Sequence, residues 1–138
     1  MSNFHPKANV IFTYHKDLQR SCDFYERILG LKLAVDQGWC KIYQMTPHSF
    51  IGLVDGEHGT HKPNEIKPVI IGFVVSDLDG IYAHLQANGV TIFKPLKQHD
   101  AIGVRGFMAF DPEGYTLEFE DFLDASRNVV IREMLAKV

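Results

Sequence analysis

Asp17-Leu18-Gln19-Arg20-Ser21-Cys22-Asp23-Phe24-Tyr25-Glu26-Arg27-Ile28-Leu29-Gly30-Leu31 decides the fold. Asp17 stands where a helix N-cap belongs, because its short carboxylate can accept from the free N–H groups of the first turn. Leu18, Cys22, Tyr25, Ile28 and Leu29 recur at helical spacing with charged residues between them, and Gly30 supplies the stop. The same grammar returns at Asp77, 60 residues on, again followed by leucine, with Leu78, Ile81, Tyr82 and Leu85 apolar and Asn88-Gly89 as the stop. Duplication of one unit explains the repeat.

Working outward from each helix gives the rest of the unit. Val10 to Tyr14, rich in β-branched and aromatic residues, predicts a strand before the first helix. Leu31 to Val35, Trp39 to Met45 and Phe50 to Val54 predict three strands after it, separated by Gly38 and by Thr46-Pro47-His48. In the second unit the predicted strands are Val69 to Val75, Val90 to Phe93, Gly106 to Phe110 and Tyr115 to Glu120, the last two joined by the turn Asp111-Pro112-Glu113-Gly114. The reading is an α+β chain of two tandem βαβββ modules, about 8–54 and 68–121. A Gly- and Pro-containing linker spans 55–67, and an apolar-striped helix closes the chain over about 124–138. Two such modules are expected to set their sheets side by side around a cleft.

Composition narrows the function classes. The 138 residues are 46% hydrophobic and 22% charged, with formal net charge −3, which suits one ordinary globular chain with a sizeable core. A nucleic-acid surface would bring a basic excess, and a membrane span about 20 apolar residues; neither is present. No apolar signal core follows Met1, so a cytoplasmic location is expected. Cys22 and Cys40 then read as reduced, partly buried thiols.

The Asp17–Leu31 run and the ending Phe110-Asp111-Pro112-Glu113-Gly114-Tyr115-Thr116-Leu117-Glu118-Phe119 together resemble the vicinal oxygen chelate superfamily, which holds glyoxalase I, bleomycin- and fosfomycin-resistance proteins and extradiol dioxygenases. The resemblance reaches to about Phe122 and implies the fold far more specifically than any activity. Metal-dependent members draw ligands from the first strand of each module, seven residues before the capping aspartate, and from the last strand. Carried over, those positions are Val10, Ile70, Gly52 and Glu118. Only Glu118 can bind a cation, so the resemblance implies no metal site and no cofactor here.

Glu118 is the candidate catalytic residue, as general base or ligand acceptor; the alternative is a structural partner for Arg105 or Lys41, since a lone carboxylate among Leu117 and Phe119 is costly to desolvate. Strand parity groups Val10, Phe12 and Tyr14 on one face, Thr116, Glu118 and Glu120 on another, and Trp39, Lys41 and Tyr43 on a third. Phe12, Tyr14 and Trp39 are candidate walls of an aromatic ligand site, or else ordinary core. Lys41 and Arg105 are candidates for an anionic ligand group. His58 and His61 lie in the linker without a zinc-like partner set; His61 is retained as a candidate ligand contact.

The expectation is a small-molecule binding protein or a metal-independent enzyme, with the ligand in a mainly apolar cleft and a homodimer implied by the resemblance. Whether it binds or catalyses stays open. One alternative is a metal-dependent lyase, isomerase or dioxygenase with a rearranged site; another is a partner-binding role for the C-terminal helix.

Overall fold

The computed structural model describes residues 3–138 and divides into two compact units at the Ile66–Lys67 boundary. In the first, β1 (Asn9–His15) leads to α1 (Leu18–Asp23), and β2 (Lys32–Asp36), β3 (Cys40–Thr46) and β4 (Ser49–Asp55) follow. In the second, β5 (Ile70–Val74) leads to α2 (Leu78–Ala87), and β6 (Ile92–His99), β7 (Val104–Phe110) and β8 (Thr116–Phe122) follow. The sheets have the same order, β1-β4-β3-β2 and β5-β8-β7-β6. In each, the first and last strands pair in parallel and the other neighbours run antiparallel. The βαβββ duplication read from the sequence is therefore present.

The helix starts form as their residues dictate. Asp17 Oδ1 accepts from Arg20 N at 3.1 Å, and Asp77 Oδ1 accepts from Gly80 N at 3.0 Å. Beyond Asp23, the first helix widens into a π turn, Phe24–Ile28, with Leu29 N–H donating to Phe24 C=O at 3.0 Å. It stops at Gly30, whose φ of 71° only glycine adopts cheaply. The turn after β7 is held by Asp111, whose Oδ1 accepts from the N–H groups of Glu113 and Tyr115.

One face of each sheet carries the core. In the first unit Cys22, Phe24, Tyr25, Tyr43, Ile51 and Leu53 are buried, and a polar chain runs through them: Thr13 Oγ1 and Ser21 Oγ each lie 2.6 Å from a ring nitrogen of His15. All three are buried, so the chain satisfies groups that would otherwise be stranded and ties β1 to α1. In the second unit Leu78 and Leu85 of α2 are buried together with Ile71, Ala109 and Leu117. Phe73, Phe119 and Phe107 stack at 5.3 and 5.0 Å, and Tyr82 meets Phe107 edge-on at 4.8 Å.

Two elements differ from expectation. β6 extends to His99 and includes Pro95, because it is an edge strand with register shifts around Lys94, where a missing N–H costs least. The closing helix is shorter than 124–138: a 3₁₀ turn, Ser126–Asn128, precedes α3 (Val129–Leu135). Buried Asn128 sets that boundary, its Nδ2 donating to the carbonyls of Gly103 and Leu123, both at 2.8 Å. Arg132 Nη1 adds a bond to the Phe122 carbonyl at 2.6 Å, while Val130 and Met134 stay exposed. Among the described residues no helix is long and apolar enough to cross a membrane.

Asn128→Ala is expected to cost about 1–3 kcal/mol, because it removes two hydrogen bonds of a buried amide; the Gly103 carbonyl keeps its bond from Leu123 N–H, whereas the Leu123 carbonyl loses this donor. Urea unfolding measures this; a stability equal to the parent would mean that α3 is anchored by other contacts.

Candidate functional site

Residues paired across a ladder project to the same face of a sheet, so register assigns the lining of the face opposite the core. In the first unit the rungs are Val10–Phe50–Gln44, Phe12–Gly52–Ile42 and Tyr14–Val54–Cys40. Phe12 lies directly over Gly52: a Cβ there would meet the Phe12 ring at 2.5 Å. The chain after β4 folds back onto the neighbouring rung. Gly56 N–H donates to His15 C=O at 3.0 Å, and a Cβ on Gly59 would meet Val54 at 2.7 Å and Tyr14 at 2.8 Å. His61 in the same loop meets the Tyr14 ring edge-on at 5.4 Å.

These pieces enclose a cavity of about 210 Å³ bordered by Phe12, Tyr14, Gln37, Trp39, Val54 and Thr60, with Cys40 at its base. Phe12 and Trp39 are each 44% exposed. Three of the candidate residues therefore converge, and a fourth, His61, stands against one of them. A larger hollow of about 310 Å³ beside Gly30, Lys32, Gln44 and Pro47 is an open trough with no aromatic wall.

The other candidate cations go elsewhere. Lys41 is on the rung Thr13–Leu53–Lys41–Asp36, the opposite face from Phe12, and lies 3.9 Å from Asp36. Trp39 does not share its face, as strand parity had suggested, because β3 begins only at Cys40 and Trp39 belongs to the turn at Gly38, with φ of 82°. Arg105 forms a two-pronged pair with Asp79 of α2 at 2.7 and 3.2 Å, across from Asp121 and on the core side of β7. Neither cation pairs with Glu118.

Glu118 lies in the second unit, on the rung Gly72–Glu118–Met108 and away from the core. Nothing stands within 4 Å of a Cβ built on Gly72, so the space beside Glu118 is open. Its neighbour is another carboxyl, Glu120, two residues on and on the same face. Partial burial, then the adjoining Glu118 carboxyl and its charge, push the Glu120 carboxyl up to about 7. Parity had placed Glu120 on this face, but its raised carboxyl was missed, since nothing in the residue string distinguishes it from a solvated glutamate.

Cys22 and Cys40 are free and buried, and burial raises both thiols, which keeps them protonated and poorly nucleophilic. Among the described residues no three His, Cys, Asp or Glu side chains converge as a metal site. His58 is taken by Asp55 at 3.5 Å. Val10, Ile70 and Gly52 offer no donor atoms, so the side chains at these positions do not fit a divalent ion.

Residues 7–119 match the glyoxalase/bleomycin resistance protein/dioxygenase superfamily. No curated protein matches the chain. Among solved structures, TioX from Micromonospora sp. ML1 is similar at TM-score 0.70 and 21% identity, over 84% of this chain and 98% of that one. A glyoxalase/bleomycin resistance protein/dioxygenase from Nocardioides gives 0.73 and 20%, over 91% and 89%. A lactoylglutathione lyase from Agrobacterium tumefaciens gives 0.67 and 16%, over 84% and 94%. At these identities the likeness speaks for the fold.

The Glu120 shift sets a pH dependence. A carboxyl raised on folding binds its proton more tightly in the native state, so its effect is most favourable below about 4.5 and is lost as pH rises towards about 7. Glu120→Gln is therefore expected to gain stability relative to the parent between these pH values and to keep that gain above them. Chemical denaturation at pH 4.5 and 8 measures it; a stability difference independent of pH would contradict the raised Glu120 carboxyl.

Proposed function

Because the chain belongs to the glyoxalase/bleomycin resistance protein/dioxygenase superfamily, we propose that it is a small-molecule binding protein or metal-independent enzyme whose ligand enters the aromatic cavity of the first unit. The observation that carries this reading is the convergence of Phe12, Tyr14 and Trp39 on one hollow, with His61 against Tyr14. Half-exposed aromatic rings around a concavity give up hydrating water when a ligand covers them, at roughly 25 cal/mol per Å² of apolar surface. Gln37 and Thr60 supply the polar contacts that orient a ligand.

An anionic ligand group is not favoured in that cavity, since Lys41 lies on the other face and Arg105 is held by Asp79. The Glu118–Glu120 pair of the second unit, beside the open space at Gly72, supports a separate catalytic reading with its substrate at that pair. A carboxyl that exchanges its proton near neutral pH can take one from a substrate and return it, without a metal. The protein would act in the cytoplasm as a homodimer; exposed Val130 and Met134 on α3 support a second copy as partner.

A thermal-shift screen of neutral aromatic and amphipathic compounds, with metal content measured on the same sample, tests the proposal. Stabilisation of about 2.7 kcal/mol is expected at a hundredfold excess over Kd. It should vanish in Trp39→Ala, which removes a half-exposed ring without opening the core. Glu118→Gln should fold normally and lose turnover if the protein is catalytic. Stoichiometric tight metal, or stabilisation unaffected by Trp39→Ala, would overturn the proposal.

A further inference from the structure

The cavity of the first unit is small and carries no formal charge on its walls. Pockets for drug-sized ligands run to about 300–1,000 Å³, whereas this one has about 210 Å³. It has room for a compact head group rather than a whole polycyclic molecule. Its borders are three aromatic rings, a valine, a glycine, a thiol, an amide and a hydroxyl. No ion pair inside it awaits a partner.

The charged groups of the neighbourhood lie off its walls. Asp36 and Asp55 are sequence neighbours of Gln37 and Val54 but stand on the rungs of Lys41 and His15, on the face opposite Phe12, while Glu57 lies in the loop that brings Gly59 against Tyr14. The basic groups of the neighbourhood are committed or turned away: Lys41 lies on the opposite face near Asp36, His58 pairs with Asp55, and Lys62 Nζ donates to the Glu57 carbonyl. His61, against Tyr14, is the other group there able to carry positive charge.

Resting on the proposed ligand site, we infer that this cavity selects an alkylated ammonium head group. Aromatic faces attract a cation through their quadrupoles, and tryptophan does so most strongly. An alkylated ammonium has few or no N–H bonds to satisfy, so it loses little hydration on entering an aromatic box. A compact apolar group of the same shape gains only the area term. The walls carry no fixed cation to oppose a cationic head group.

Trp39 is the chain's one tryptophan, so its indole N–H resonance reports on the cavity directly. The test is titration with choline and with 3,3-dimethylbutan-1-ol, its uncharged counterpart of the same shape. Choline is expected to move the resonance saturably and to bind roughly tenfold tighter than the alcohol. Phe12→Leu, which keeps the wall apolar but removes one π face, should weaken choline several-fold and leave the alcohol unchanged. Equal binding of the two compounds, or binding of indole without choline, would overturn the ammonium assignment and leave the cavity as an apolar site. Failure of choline, the alcohol and indole alike would overturn both this inference and the ligand site on which it rests.

Discussion

The Phe12 ring on the bare backbone of Gly52 is the contact on which the site depends. Parallel pairing of β1 with β4 puts the two residues on one rung, and the absence of a Cβ at Gly52 lets the ring lie down on the sheet. The next rung, Tyr14 with Val54, repeats the device with a different glycine: Gly59 brings the loop against both side chains because it has nothing to clash with them. Trp39, set by the turn at Gly38, completes the wall. Three glycines thus decide where three aromatic rings go.

The second unit uses the corresponding rung in reverse. There the first strand carries the glycine, Gly72, and the last strand carries the large side chain, Glu118. The duplicated framework has diverged into an aromatic hollow in one unit and a carboxyl pair beside open space in the other. Both features lie on the faces that the helices leave uncovered, where a side chain can change without disturbing the buried residues that hold each sheet.

Much of the fold was legible because its signals are local. Asp17 and Asp77 cap their helices by short bonds to residues three positions on, and the Asp111 turn closes within five residues. Period-two alternation also grouped Phe12 with Tyr14 and Glu118 with Glu120, while which face of each sheet was the open one came from the family resemblance alone. Lys41 and Trp39 were separated by the structure because parity holds only inside a strand, and β3 begins between them. Arg105 was claimed by Asp79, 26 residues earlier, a contact that no spacing rule encodes. The buried Thr13–His15–Ser21 chain and the reach of the loop to Tyr14 were likewise out of view, since both arise when distant segments pack.

The measurement that bears most directly on this account is a proton NOE spectrum of the protein free in solution. The account predicts strong contacts from the Phe12 ring to the Gly52 α protons and from the Tyr14 ring to those of Gly59. Absence of both, with the Phe12 ring in contact with other residues, would mean that the cavity does not exist as described and that the ligand site must be sought elsewhere.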